Sequence, residues 1–456
     1  MSRPATLGEL IQSGYLPRTV RQELRDNVVG RIKANLPIVS GLVGYEETVI
    51  PELERALLLG HDIILLGERG QAKTRIIRSL VELLDEWIPC VTGSELNESP
   101  FNPILASTKS LIGDKGDATP ISWIPRERRL NEKLATPDTS IADLIGEVDP
   151  IKVAQGRYLS DIDTLHFGLV PRSNRGIFAI NELPDLPERI QVGLLSVLEE
   201  RDVQVRGYAI SLPLDILFIA SANPEDYTSR GRLITPLKDR FGAQIRTHYP
   251  RNVQDEIKVI TQEARLPDFD VAVPEIVTEI IATTALLARH HPSISSYSGV
   301  SVRASISGYE SVVASAIIRA LRTSDATPGV RVDDLEALRA SFMGKIEFDV
   351  NEAKDEEKVF SSLVNQAISR VFSAHYASTD LGGVVTSVEE EPITLDSLAP
   401  TDSLAKVAER PQLHQVIPAG SVPDRIAHLE LILEGLYLSR KIGRSTSSHE
   451  ARYQER

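Results

Sequence analysis

The chain has 456 residues, enough for two or three domains, and its 42% hydrophobic and 25% charged content is ordinary for a globular protein. A net charge of −14 argues against a dedicated nucleic-acid-coating surface, and the single cysteine, Cys90, rules out an intrachain disulfide or a thiolate zinc cluster. The first residues lack the basic-then-apolar pattern of a secretion signal, and no apolar run approaches the ~18 residues of a membrane span, so a cytoplasmic protein is expected.

Residues 1–35 read as an N-terminal helical segment, with apolar positions at Leu7, Leu10, Ile11, Val20, Leu24, Val28 and Ile32. Over 36–250 the pattern changes to short aliphatic runs: "DIILLG" from Asp62, "GIFAIN" over 176–181 and "LDILFIASAN" over 214–223. None alternates, which suits strands buried on both faces of a parallel sheet. Helical stretches at 73–86 and 187–200 lie between them, so the region is expected to be a layered α/β domain. Ligands of such sheets sit at the carboxyl ends of the strands. All three runs end in polar residues, Gly67–Thr74, Asn181–Glu182 and Asn223, and these ends are expected to meet at one site.

Beyond 251 the strands are expected to stop. Amphipathic segments at 252–265, 274–290, 301–322 and 332–343 make a helical domain over 251–345. A C-terminal helical extension is expected over 346–440, with helices at about 354–376 and 422–440, and a disordered polar tail over 441–456. His290 and His291 have no further ligand at metal-binding spacing and read as loop residues.

The stretch "HDIILLGERGQAKTRI" (61–76) carries the chemistry. A phosphate loop needs backbone N–H groups turned toward the ligand at a helix N-terminus, a lysine for the β- and γ-phosphates, and a hydroxyl for Mg²⁺. Gly67 and Gly70 supply the backbone freedom, Glu68, Arg69 and Gln71 complete the turn, and Lys73 and Thr74 supply charge and hydroxyl. Ala72 stands where such loops carry their last glycine; it adds only one methyl, and the loop fits if its φ is negative. Taken alone, the stretch also reads as a strand–turn–helix with a surface lysine.

The other strand ends add to it. "GIFAINELPDL" finishes in Asn181–Glu182, where ATPases of this architecture carry Asp–Glu. Asn181 keeps the size of an aspartate and one acceptor oxygen but loses the charge, which weakens Mg²⁺ binding. Glu182 is placed to polarise a water, or it is a capping or surface carboxylate. Asn223 can fix a water against the γ-phosphate, or form a turn before Pro224. Arg232, Lys238 and Arg240 follow closely. Arg303 falls in the first turn of a helix, where a cation opposes the helix dipole and an anionic ligand is one reason for it.

Together "GLVGYEETV" (41–49), "GERGQAKT" (67–74), "DLIGEVDP" (143–150), "HFGLVPRSNRGIFAINELPDLP" (166–187), "SANPEDY" (221–227), "LKDRFG" (237–242) and "SVRAS" (301–305) resemble the AAA+ ATPases of the magnesium chelatase I-subunit and MoxR group, of helix-2-insert type. The resemblance covers roughly 40–345 and implies a P-loop α/β domain followed by a helical lid. It implies ATP and Mg²⁺ as cofactors. By the same resemblance Val43 and Gly44 lie near the adenine, Lys73 holds phosphate and Thr74 holds Mg²⁺ with Asn181. Glu182 is then the catalytic glutamate, Asn223 the first sensor, Arg240 a finger acting on a neighbouring subunit's ATP, and Arg303 the second sensor. The helix-2 insert would be 143–170 and a hairpin would occupy 201–214. A further segment at about 96–140 reads as an insertion, its "PRERR" cluster (Arg126 to Arg129) as a solvated or partner-facing patch.

The function so implied is a ring-forming, hexameric ATPase motor that remodels a partner protein, a von Willebrand A-domain protein being the family's usual one. The alternatives are a true magnesium chelatase motor in chlorophyll biosynthesis, or a nucleotide-binding scaffold with weak hydrolysis.

Overall fold

The structure, a computed structural model, describes residues 3–148, 164–199, 212–223, 232–294, 299–325, 327–347, 356–447 and 449–456. The chain divides into two compact units, Met1–His248 and Tyr249–Arg456.

Among the described residues the first unit carries nine strands: β1 (Ile63–Leu66), β2 (Trp87–Val91), β3 (Ile121–Pro125), β4 (Leu130–Leu134), β5 (Gly146–Val148), β6 (Leu165–Phe167), β7 (Gly176–Asn181), β8 (Ile216–Ala222) and β9 (Ala243–Arg246). Five of them form one parallel sheet in the order β4-β7-β8-β1-β9. The three aliphatic runs are β1, β7 and β8, and every residue in them is buried. Alternate side chains enter opposite clusters. Ile64, Phe178, Ile180 and Phe218 face one side, and Ile63, Leu65, Ile177 and Ile219 the other. A strand covered on both faces must be apolar throughout, which is why these runs do not alternate. Each such side chain contributes about 1.5–3 kcal/mol by burial.

The helix Val20–Lys33 packs on the second of these faces and opens with a capping box between Thr19 and Gln22. From it Arg21 Nη2 reaches Asp62 Oδ1 at 2.5 Å, and Asp62 Oδ1 also accepts the Phe218 N–H at 2.9 Å. One buried carboxylate therefore pins the entry ends of β1 and β8, leaving their exit ends to the site.

Two expectations about 96–140 are corrected. Its last part is β4, the edge strand of the central sheet, so the segment is not wholly an insertion. Arg129 is not on a solvated patch: it is buried, and its two Nη atoms each donate to Glu23 at 2.6 Å. Of the expected helix-2 insert, β5 pairs antiparallel with β6, while 149–163 lie outside the described residues. The expected hairpin at 201–214 lies outside them up to residue 211.

The second unit holds the helices Val253–Glu263, Glu275–Arg289, Val302–Thr323, Leu338–Met343, Glu356–Tyr376 and Val422–Leu438, close to the segments their periodicity predicts. The strands do not stop at 251, however. β10 (Ile393–Asp396), β11 (Gly443–Thr446) and β12 (Glu450–Gln454) form an antiparallel sheet in the order β10-β12-β11. The tail expected to be disordered is thus ordered, anchored by buried Tyr453. One apolar cluster runs from Ile260 to Tyr453, so the expected lid and C-terminal extension share a single core.

Candidate functional site at the strand ends

β8 neighbours both β1 and β7, and all three strands point the same way, so the three polar ends lie side by side. After β1 the chain turns through Gly67. Its N–H donates to the Ala222 carbonyl at 3.1 Å, and the Thr247 N–H donates to the Leu66 carbonyl at 2.8 Å. A Cβ at Gly67 would lie 1.9 Å from Thr247 Oγ1 and 2.3 Å from Gln71 Oε1, so only glycine fits. Gln71 Oε1 closes the turn, accepting from the Glu68 N–H at 3.1 Å and from Thr247 Oγ1 at 2.8 Å. Gly70 takes φ 79°, and Arg69 is exposed at the tip.

Lys73 begins the next helix, Lys73–Ser79, and its side chain is buried. The ammonium donates to the Gly67 carbonyl and, at 2.9 Å, to the Glu68 carbonyl, so the loop curls around it. Thr74 follows, half-buried. Ala72 takes φ 55°, ψ 14°, which corrects the expectation of a negative φ. The turn into the helix demands the left-handed conformation that glycine adopts freely, and an L-residue there costs about 1–2 kcal/mol. The methyl packs against the cluster that contains Ile76 and Ile77.

The segment with Val43 and Gly44 is tied to the loop by its next residue. The Tyr45 hydroxyl lies 2.9 Å from the Gln71 carbonyl and 2.8 Å from the His248 carbonyl. Burial pushes this phenol's pKa well up, so it stays a donor.

At the ends of β7 and β8, Ser221 joins two residues. Its Oγ donates to Asn181 Oδ1 at 3.0 Å and accepts the Glu182 N–H at 3.3 Å. Asn181 Nδ2 donates to Glu132 Oε1, and Glu132 Oε2 accepts from Arg78 Nε at 2.8 Å. Glu182 takes φ 54°, ψ 49°, a strained conformation for a side-chain-bearing residue and one that clusters at functional sites. Asn223, buried, directly follows β8 and sits one residue beyond the Ala222 carbonyl that holds Gly67.

The two arginines expected at the nucleotide lie on other elements. Arg240 ends the helix Thr235–Arg240, where its Nη2 and Nε reach Glu199 Oε2 at 2.6 and 2.9 Å. Arg303 lies in the second unit, exposed in the first turn of Val302–Thr323 with Ser301 as its cap.

Tyr45, Thr247, Ser221 and Glu132 belong to the corner although no motif reading singled them out. Tyr45 sits inside "GLVGYEETV", next to Gly44, and Ser221 inside "SANPEDY". Thr247 and Glu132 carry no local signal.

Among the described residues no three carboxylates, histidines or cysteines group as a metal site. Mg²⁺ held mainly by phosphate and a hydroxyl needs no such cage. The curled loop, with its glycine-only position and central ammonium, fits a nucleotide's phosphates. No described helix is long and apolar enough to cross a membrane.

A parallel sheet with a glycine-containing loop after β1 and polar residues at the two neighbouring strand ends has the arrangement of a P-loop α/β domain. Residues 154–240 match the family described as the sigma-54 interaction domain. The chain is 28% identical over 217 residues to magnesium-chelatase subunit ChlI-1, chloroplastic, of Arabidopsis thaliana, covering 44% of this chain and 46% of that one. It is 27% identical over 234 residues to magnesium-chelatase subunit ChlI of Nostoc sp., covering 49% and 58%. The chain thus spans about half the length of these relatives. Among solved structures, a chain from a complex of subunits BchI and BchD of magnesium chelatase is 22% identical, covers 71% of this chain and 98% of its own, and gives a TM-score of 0.36. The Thermotoga maritima RuvB Holliday junction branch migration motor gives 12% identity, 85% of each chain and a TM-score of 0.36. The sequence matches support an AAA+ ATPase related to the magnesium chelatase I subunit, in line with the resemblance that the seven motifs carry.

Proposed function

We propose that the chain binds and hydrolyses ATP in a ring, a hexamer, and uses the cycle to remodel or activate a partner protein. The observation that carries this reading is the loop Gly67–Thr74 curled around Lys73 beside Asn181, Glu182 and Asn223. In this reading Lys73 contacts the β- and γ-phosphates, and the loop N–H groups receive their oxygens. Thr74 and Asn181 hold Mg²⁺, which when bound neutralises phosphate charge. Glu182 accepts a proton from the attacking water, and Asn223 orients that water. Val43 and Gly44 flank the adenine. Arg240 reaches a neighbouring subunit's γ-phosphate, a role worth on the order of 10³-fold in rate. Arg303 is assigned to the phosphates as well. The partner of choice is a protein with a von Willebrand A domain.

The matched relatives, named as magnesium-chelatase subunits, favour one second reading, a chelatase motor. Stimulation of ATP hydrolysis by a porphyrin-handling partner, rather than by a von Willebrand A-domain protein, would select it.

Calorimetry with ATP tests the binding step. Lys73→Ala should abolish binding, because the loop's central charge disappears, and unchanged affinity would sink the phosphate-loop reading. Mixing Arg240→Ala with Lys73→Ala subunits tests the ring. Some mixed interfaces pair an intact loop with an intact arginine, so hydrolysis should reappear. Two variants that co-assemble yet stay inactive would overturn action between subunits.

A further inference from the structure

Asn181 occupies the place where an aspartate would face Mg²⁺, and the structure puts a different carboxylate beside it. Glu132 stands opposite Ala179 in the β4–β7 register, and Asn181 is two residues further along the same face of β7. This diagonal is within reach of a glutamate, and the Asn181 amide donates to Glu132 Oε1. The face is that of the phosphate-loop helix, because Ala179 shares its cluster with Ile76 and Ile77. On that helix Thr74 and Arg78 are four residues apart and so share a side. Arg78 meets Glu132 Oε2 at 2.8 Å. Glu132 is therefore tied both to Asn181 and to the helix that carries Thr74.

The amide explains the pairing. An aspartate at 181 would set two carboxylates against each other, whereas an asparagine offers N–H to one and still accepts from Ser221 at 3.0 Å. In this pair the carboxylate sits on β4 rather than on β7. A purely structural ion pair is a poor account of Glu132, because Arg78 is 65% exposed and such pairs contribute little.

We propose that Glu132 supplies the charge that Asn181 lacks, so that the Mg²⁺ side of the site is an Asn181–Glu132 pair drawn from adjacent strands, with Arg78 as its counterion when no Mg²⁺ is bound. This inference rests on the ATP reading above. Loss of an outer-sphere partner typically weakens metal binding by about 10–100-fold.

The test is a Mg²⁺ titration of the binding of a non-hydrolysable ATP analogue to the full chain, followed by calorimetry, with melting curves alongside. Glu132→Gln keeps an acceptor for the Asn181 amide and removes only charge. It should raise the Mg²⁺ midpoint about tenfold or more, while nucleotide binding without Mg²⁺ is retained. Asn181→Asp combined with Glu132→Gln moves the charge back to β7 and should restore the midpoint. Arg78→Gln, which removes the competing cation, should lower it. An unmoved midpoint in Glu132→Gln, or no recovery in the double variant, overturns the proposal while leaving ATP binding intact. Should Glu132→Gln fail to fold, an unmoved midpoint in Arg78→Gln overturns it instead. A wild-type chain that binds no nucleotide at any Mg²⁺ concentration overturns the ATP reading and this inference together.

Discussion

The strand-end corner of the first unit and the buried ion pairs of the second use polar groups differently. In the first, Asn181, Ser221, Asn223 and Glu132 gather at one end of a buried sheet, flanked by Ala72 and Glu182 at left-handed φ. In the second, the charges are shut inside as the pairs Arg289–Glu256, Arg319–Asp334 and Arg331–Glu430, with every side chain at most 6% exposed. A buried pair fixes packing, since neither member tolerates losing the other. A strained or half-exposed polar group stabilises nothing by itself, and its persistence points to a ligand. The first unit buries one such pair too, Arg129–Glu23, so the contrast lies between the strand-end corner and the buried pairs rather than between whole units.

That contrast can be broken by substitution. Glu430→Ala should destabilise the second unit by about 3–5 kcal/mol in denaturant unfolding, because it strands the Arg331 guanidinium, whereas Glu132→Ala should cost under about 1 kcal/mol. Similar losses in the two variants would erase the distinction. Gly67→Ala should come next. Its methyl must displace Thr247 or Gln71, the two side chains that close the loop, at about 1–3 kcal/mol. ATP affinity should fall about tenfold or more with the fold retained, and unchanged affinity would mean that the loop's closure is dispensable. Ala72→Gly tests strain directly. Releasing the left-handed alanine should raise stability by about 0.5–1 kcal/mol after the glycine's own entropy is counted. A fall would show that the methyl's packing outweighs its conformation.

The smallest effect concerns pH and the second unit. Burial, then His375 nearby, holds the His428 pKa below its ordinary 6.5, and its Nδ1 meets the Tyr376 hydroxyl at 2.7 Å. The unfolded chain therefore takes up a proton before the folded one does. Stability is full above that ordinary value and falls as the pH drops through it, with a slope of at most about 1.4 kcal/mol per pH unit. His428→Gln should flatten the slope of melting temperature against pH below neutrality, while a slope unchanged by the substitution would assign the acid sensitivity elsewhere.

The central strands were legible because a strand covered on both faces has to be a continuous apolar run, and β1, β7 and β8 are. The loop was legible because its chemistry is local, with glycines, lysine and threonine inside eight residues of chain. β4 was not. Its "LNEKL" is a half-buried edge strand with charged side chains, and by composition it looks like an insertion. Arg129 looked solvated for a similar reason, since its partner Glu23 is 106 residues away. β11 and β12 were hidden because, within the two strands, Tyr453 is the one buried side chain among mostly polar neighbours. The sign of φ at Ala72 depends on how the turn meets the helix, and composition says nothing of it.

The Tyr45 hydroxyl faces two carbonyls, Gln71 at 2.9 Å and His248 at 2.8 Å, but a phenol has one hydrogen. Gln71 belongs to the phosphate loop and His248 closes the first unit. The two segments therefore compete for a single proton. One side chain thus ties the loop to the point where the chain leaves the sheet, and a movement of either segment is felt by the hydroxyl that both share.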